Sequence, residues 1–306
     1  MSLVVTGTIG IDTVYTPTDR RERILGGSAA YFAAGASFFT PTRLVAAVGG
    51  DWPRQHRDIL ESFGGICLAG LEARTTAQTF AWGGRYLEDV NCRETLFTEV
   101  GVVADAPPAV PAAYRDSRFV FLGNTHPSVQ REFLQSFPRR QLAVADTMNL
   151  WIDTARPELT MLLAEVDGLV LNDGEAAMLT GHRNAVTAAR AIMEMGPRFV
   201  IVKKGEHGAV LVSHDGLAAV PAWPADERQV VDPTGAGDSF AGGLMGWVAH
   251  RGAWDIQTLR HAMQWGTVVA SMTIERFGLE RLQEISREDL DLRMAHFRAI
   301  SGANLS

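Results

Sequence analysis

Residues 230–243, "VVDPTGAGDSFAGG", place glycines at 235, 237, 242 and 243 and aspartates at 232 and 238, directly after an apolar pair. A strand, a glycine turn and a helix in that order offer backbone N–H groups to an anion, with the helix dipole behind them. Gly235 and Gly237 carry no side chain to block a phosphate, and Ala236 keeps the gap narrow. Such a turn suits the negative charge that develops in phosphoryl transfer. Asp238 adds a carboxylate where a bound anion would repel it. Its chemical use there is as a general base that accepts a proton from an attacking hydroxyl. Capping the helix is the other use of an aspartate at such a place, and it stays open above all for Asp232, just before Pro233. Two nucleotide motifs are excluded. No Lys follows the glycines as GxxxxGK[ST] requires, and Phe240 stands where GxGxxG needs its third glycine.

Elements of two kinds must position these residues. Apolar runs of strand length begin at 3, 43, 118, 141, 168 and 198. Segments of helical period lie between them, beginning at 29, 55, 129, 158 and 185, the last stopped by Gly196 and Pro197. The alternation predicts βαβ units around a parallel sheet buried on both faces, in one domain over 1–306. Residues 75–103 break the rhythm. They are rich in Thr, Val and aromatics, with Phe80 and Trp82 on one face and Gly83-Gly84 in a turn position, and predict antiparallel strands standing off the main sheet. Residues 11–24 predict another such piece, and ordinary surface loops are the alternative for both.

The chain has 306 residues, 46% of them hydrophobic, and a net charge of −7, which leaves no electrostatic footprint for nucleic acid. Two cysteines, Cys67 and Cys92, are too few for a disulfide framework and lack the spacing of a zinc site. No segment approaches the apolar length of a membrane span and the first residues lack a basic leader, so a cytoplasmic protein without structural metal is expected.

Residues 232–243, "DPTGAGDSFAGG", resemble the carboxyl-terminal signature of the PfkB, or ribokinase-like, family of carbohydrate and nucleoside kinases. Four further segments occur in that family's order and extend the resemblance over almost the whole chain. They are "GGSAAYFAAGASFF" from Gly26, "GGDWPRQHRDIL" from Gly49, "LNDGEAAMLTG" from Leu171 and "VKKGEHGAVL" from Val202. The resemblance implies an α/β, ribokinase-like three-layer sandwich with a mostly parallel central sheet, plus a small β-strand lid formed by about 11–24 and 75–103. It also implies an ATP- and Mg²⁺-dependent kinase acting on a hydroxyl of a sugar or sugar-like substrate. In that scheme Asp238 is the base, and the amides of Gly235, Ala236 and Gly237 form the anion hole. Asn172 and Glu175 organise Mg²⁺ through water, a capped helix start being the other reading of that pair. Gly205 and Gly208 let backbone approach the nucleotide, or simply turn a hairpin. Asp12 binds substrate hydroxyls, a solvated turn residue being its other reading, and Gly26 and Gly27 line the same pocket. In some members of the family Asp232 and Thr234 help hold a monovalent cation such as K⁺. A lid of this kind excludes water, and paired lids make a homodimer.

Three departures limit what the resemblance carries. Ser28 and Tyr31 stand where ribokinases have a sugar-contacting Lys and Asn. Ser after Gly-Gly resembles some adenosine kinases, and Tyr31 either stacks on substrate or is core. Lys203 replaces a frequent Thr, as a cation for ATP phosphates or a surface residue. "DTMNLW" at 146 carries one extra residue relative to the family's Asp-x-Asn turn, so Asp146 and Asn149 receive no role. A nucleoside kinase of the same family is the nearest rival reading. A non-catalytic sugar or nucleotide sensor is the rival from another class.

Overall fold

The computed structural model describes residues 2–88 and 93–302, with the backbone alone of Glu227. Cys92 and the expected lid residues 89–92 lie outside the described residues. Among the described residues thirteen strands form two sheets. In chain order they are β1 (Leu3–Thr6), β2 (Gly10–Tyr15), β3 (Arg20–Gly26), β4 (Thr42–Gly49), β5 (Ile66–Arg74), β6 (Phe80–Tyr86) and β7 (Arg93–Glu99), followed by β8 (Phe119–Leu122), β9 (Leu142–Asp146), β10 (Gly168–Asn172), β11 (Phe199–Lys203), β12 (Ala209–Ser213) and β13 (Gly216–Val220).

The main sheet has the order β13-β12-β11-β10-β9-β8-β1-β4-β5. All of its pairings are parallel except β11–β12 and β12–β13. Alternate residues feed two cores. Leu3, Val5, Phe119, Phe121, Leu142 and Val144 face one layer of helices, while Val4, Val120, Leu122, Ala143 and Ala145 face the other. Strands buried on both faces read as continuous apolar runs, which is why the six runs of the sequence were visible. β5 and β13 escaped that pattern because they lie at the two edges, where one side of the strand meets solvent and polar residues interrupt the run.

The sheet changes direction at β1, whose neighbours β8 and β4 are reached from opposite sides. Connections leave the carboxyl ends of β1 and β8 in opposite senses, and the crevice that opens there is where an open α/β sheet takes its ligand. The helix Ala236–Arg251 packs against β1 and β8, between Ser28–Ser37 and Ile256–Thr273. Its small residues permit the approach. A Cβ on Gly242 would stand 2.3 Å from the Phe32 carbonyl oxygen, and one on Gly243 would stand 2.9 Å from the Trp265 carbonyl oxygen. The run of small residues after Asp238 is therefore a packing surface that brings the helix N-terminus over the crevice.

The second sheet has the order β3-β2-β6-β7 and falls within the two segments that broke the sequence rhythm. It differs from expectation in two ways. It is mixed, since β2 pairs with β6 in parallel while β2–β3 and β6–β7 are antiparallel. A parallel pair needs a long crossover, and the chain from β3 to β5 supplies it. Gly83 and Gly84 do not make a turn but sit inside β6. The Phe97 ring lies over Gly83 and the Trp82 ring over Gly84, where a Cβ would fall 2.2 and 2.0 Å from ring carbons. Aromatic cover of bare strand glycines, not a change of direction, is the reason for the pair.

Candidate active site

The site grows from the turn Asp232–Gly235. Gly235 is the N-cap of the helix Ala236–Arg251 with φ 74°, and no side chain caps that helix. The first N–H groups of a helix have no carbonyl of their own helix to bond, so they remain available to an anion. The Ala236 N–H is partly engaged, donating to the Pro233 carbonyl at 3.2 Å. Asp232 is fully buried and braces the turn. Its Oδ1 accepts from the Thr234 N–H at 2.9 Å and its Oδ2 from the Gly278 N–H at 3.3 Å. Burial pushes the Asp232 carboxyl above the usual carboxylate range.

Asp238 lies in the first turn of the helix. Burial, and then the Asp146 carboxylate, raise its pKa to about 7, while Lys203 and Arg93 oppose the shift. Lys203 ends β11 and reaches Asp146, the last residue of β9, at 3.5 Å. Its ammonium also stands beside the cradle, 2.9 Å from where a Cβ of Gly237 would be. Burial lowers its pKa, but the carboxylates of Asp146, Glu175 and Asp238 outweigh that and raise it above the usual lysine value. One lysine cannot satisfy three carboxylates. Burial, then Asp146, accordingly leave Glu175 with a pKa of about 7, and burial raises Asp146 against the pull of Lys203.

Asn172 and Glu175 make a reciprocal cap. Asn172 Oδ1 accepts from the Glu175 N–H at 2.7 Å, and Glu175 Oε2 accepts from the Asn172 N–H at 2.8 Å. The helix-start reading of this pair therefore holds. The same cap leaves an exposed amide and a buried carboxylate at the carboxyl end of β10, an all-oxygen set of the kind that suits Mg²⁺ through water. Gly205 and Gly208 turn the hairpin between β11 and β12. Gly208 has φ 84°, and a Cβ there would stand 2.1 Å from the Val220 carbonyl oxygen.

On the second sheet, Asp12 of β2 is 3% exposed, its Oδ2 lies against Gly26, and its Oδ1 is buried without a hydrogen-bond partner. Burial, then the Asp232 and Asp238 carboxylates, raise its pKa to about 8, while the Gly27 N–H and Arg93 pull it down. Gly26 is required for this carboxylate, because a Cβ there would fall 1.9 Å from Oδ2. Gly27, with φ 96°, starts the helix Ser28–Ser37. Ser28 is tied to Thr8 by three contacts of 3.0–3.2 Å, so its hydroxyl fastens the loop after β1. Tyr31 is 1% exposed and its ring lies under Gly235, with the hydroxyl buried and unpartnered. Thr125 and Thr147, in the loops after β8 and β9, have unpartnered buried hydroxyls as well.

Three residues here were not read from the sequence. Asp146 is the partner of Lys203, and only the placing of β9 and β11 on either side of β10 brings the two together. Tyr86 of β6 meets the Thr234 hydroxyl at 3.1 Å, which links the second sheet to the cradle. The third, Arg93, stands on β7 with its guanidinium 5.0 Å from the Trp82 ring centroid. Asn149 is exposed, at the start of a short helix. Among the described residues no group of three His, Cys, Asp or Glu is arranged to hold a metal, and no helix is long and apolar enough to cross a membrane.

A buried carboxylate with a raised pKa and an orphan oxygen opposes folding. Its unfolded pKa lies near 3.8 and its folded pKa near 8, so stability falls as pH rises between them. Asp12→Asn is expected to raise the thermal midpoint of the ligand-free protein by several degrees at about pH 8, and by less in mild acid, while weakening acceptor turnover. Thermal unfolding of both proteins across that range checks this. A variant midpoint no higher than that of wild type at the alkaline end would contradict it.

The description "pfkB family carbohydrate kinase" matches residues 126–285. The cytidine kinase of Thermococcus kodakarensis is 30% identical over 251 residues, which are 80% of this chain and 87% of that one. The nucleoside kinase of Methanothermobacter thermautotrophicus is 28% identical over 87% of this chain and 83% of its own. Among solved structures, aminoimidazole riboside kinase from Salmonella enterica, complexed with aminoimidazole riboside and an ATP analog, superposes with a TM-score of 0.78. That match is 19% identical and covers 96% of this chain and 100% of the other.

Proposed function

Because this chain belongs to the pfkB family of carbohydrate kinases and is a phosphotransferase with a hydroxyl group as acceptor, we propose that it transfers the γ-phosphoryl group of ATP to the primary hydroxyl of a nucleoside. The observation that carries this reading is the pairing of a buried carboxylate, Asp12, with a half-buried one, Asp238, that have different tasks. Asp12 has an oxygen with nothing to accept, and Asp238, close enough to raise the Asp12 pKa, opens an uncapped helix beside Lys203. The two relatives that match most of the chain are named cytidine and nucleoside kinases, which favours a nucleoside over a free sugar. The free-sugar reading uses the same Asp12, but the Ser28 hydroxyl that replaces the ribokinase Lys is already engaged by Thr8. A sensor would have no use for Asp238.

In this mechanism Asp12 accepts hydrogen bonds from sugar hydroxyls and so aims the reactive one at the cradle. Asp238 takes the proton of that hydroxyl as its oxygen bonds to the γ-phosphorus, and the bond to the bridging oxygen breaks to release ADP. Lys203 and the opening N–H groups of the helix face the charge on the transferred group. Asn172 and Glu175 would hold Mg²⁺ through water, and the ion would supply neutralisation of phosphate charge there. Asp232 and Thr234 are the residues that would hold a monovalent cation, and the Asp232 bonds to the turn serve the same geometry without one. The second sheet is the lid that keeps water from the phosphoryl group.

The reading is tested by ADP release with Mg·ATP against cytidine, adenosine, inosine, uridine, ribose, fructose and sugar acids. Turnover confined to free sugars would overturn the nucleoside acceptor, and tight binding without turnover would favour the sensor. The same proposal includes a homodimer through the lid. β7 is an edge strand exposed along its length, with Leu96 42% and Phe97 38% exposed, a surface that soluble chains seldom leave bare. Sedimentation equilibrium should return about twice the chain mass, and a monomer at micromolar concentration would contradict it.

A further inference from the structure

Buried polar atoms without partners collect at one place remote from the crevice. The helices Ala236–Arg251 and Ile256–Thr273 pack as a hairpin, and the helix Arg287–Ser301 packs against the second of them. On that second helix Arg260, His261, Gln264 and Trp265 have the i, i+1, i+4, i+5 spacing of one face. Arg260 Nε, His261 Nε2, Gln264 Oε1 and Trp265 Nε1 are buried without a hydrogen-bond partner, and so is Arg298 Nε from the helix Arg287–Ser301. Gln264 is 5% exposed and Trp265 4%. The two arginine Nε atoms and the indole nitrogen can only donate, so what this place lacks is an acceptor.

The charge here is as one-sided as the hydrogen bonding. Burial, then the charges of Arg260, Arg298 and Arg251, hold the His261 imidazole below its ordinary pKa, which brings three arginines from three helices to bear on one ring. Among the described residues no carboxylate pairs with any of the three, whereas the other arginines of the helix Arg287–Ser301 are matched, Arg287 by Asp291 at 3.1 Å and Arg293 by Glu275 at 2.7 Å. Asp255 pulls the imidazole the other way, but its oxygens are engaged in capping. Oδ1 accepts from the Gln257 and Thr258 N–H groups at 3.0 Å, and Oδ2 from the Thr258 hydroxyl at 2.7 Å. In a chain of net charge −7, cations gathered without a carboxylate between them oppose folding unless an anion joins them.

We propose that Arg260, His261 and Arg298, with Arg251 beside them, form a second anion site that takes a multivalent tetrahedral oxyanion. The arginines offer guanidinium forks to its oxygens, and His261 and Trp265 add single N–H donors. Arg251 lies at the opposite end of the helix Ala236–Arg251 from Asp238, about 20 Å away at about 1.5 Å per residue, so the site is separate from the crevice and independent of the kinase reading.

Thermal unfolding at constant ionic strength, with sodium sulfate or inorganic phosphate exchanged for sodium chloride, tests this. Between about 1 and 30 mM of either ion the wild-type midpoint should rise by about 3 °C, as a ligand of the folded state raises it. Arg260→Met/Arg298→Met keeps the buried stems and should lose most of the rise, while in chloride alone it should be at least as stable as wild type, because like charges have been removed. Arg251→Gln, at an exposed position, should fold as wild type does and lose part of the rise. The glycine turn beside Lys203 is a rival place for the same ions, so Lys203→Met should keep the rise. An equal rise in Arg260→Met/Arg298→Met and wild type would overturn the proposal, as would a rise lost in Lys203→Met alone or one matched by added chloride. If the double variant does not fold, Arg251→Gln and the two single variants decide, and an undiminished rise in all of them overturns the site.

Discussion

Asp238→Asn is expected to lower kcat by about 1,000-fold or more, the span a positioned general base supplies, while leaving nucleotide affinity nearly unchanged. The amide keeps the shape of the side chain but cannot accept the acceptor proton. The same residue predicts the pH profile. In the proposed mechanism Asp238 works as the carboxylate, and burial with the Asp146 charge holds its pKa at about 7. Acceptor kcat/KM should therefore rise with pH through a limb near neutrality and level off above it. Because Asp12, Glu175 and Asp146 titrate in the same field, the limb belongs to the cluster. The residual activity of Asp238→Asn should lose most of this dependence. A variant with wild-type kcat, or a wild-type profile flat from the acid side of neutrality, would remove Asp238 from the role of base.

The second large effect separates two glycines of one turn. Gly235 has φ 74°, and a Cβ there would stand 2.3 Å from ring carbons of Tyr31, which is itself enclosed. Gly235→Ala should cost about 2–5 kcal/mol of folding stability, from the left-handed backbone and from overpacking against a ring with no room to retreat. At Gly237 the nearest neighbour of an added Cβ is the Lys203 ammonium at 2.9 Å, the free end of a flexible chain. Gly237→Ala should fold with near wild-type stability and still lose about 100-fold in kcat, because the methyl displaces Lys203 and fills space where a phosphate approaches. Denaturant unfolding and steady-state kinetics on the pair check this. If Gly237→Ala keeps full activity, the turn does not cradle the phosphoryl group. If Gly235→Ala is as stable as wild type, Tyr31 is not its rigid floor.

Tyr31 illustrates how one residue type carries two meanings until its neighbours are known. In the sequence it is an aromatic four residues after a Gly-Gly pair, equally fit to stack on a substrate or to fill a core. In the fold its ring supports Gly235 from below, and its hydroxyl sits among Asp12, Asp232 and Asp238. Lys203 had the same ambiguity between surface and phosphate, and its pairing with Asp146 follows from β9 and β11 flanking β10, with Asp146 beside Val170 and Lys203 beside Asn172, close enough for the long lysine side chain to reach back. The Asn172–Glu175 pair shows the opposite case, since a cap and a metal site use the same spacing and the fold permits both.

What the amino-acid sequence determined by itself was local. Six doubly buried strands show as apolar runs because both faces of each meet a hydrophobic layer, and the glycine turn with Asp238 shows because its chemistry lies within a dozen consecutive residues. Tertiary structure alone decided what depends on register between distant segments. It placed Gly83 and Gly84 under aromatic rings instead of in a turn, set β6 parallel to β2, and brought Asp12, Asp146, Lys203, Tyr86 and Arg93 to one crevice. The physical reason is that charge and desolvation act through space. A carboxylate's pKa, its partner and its task are set by groups remote in the chain, and no spacing along the sequence records which of them will be near.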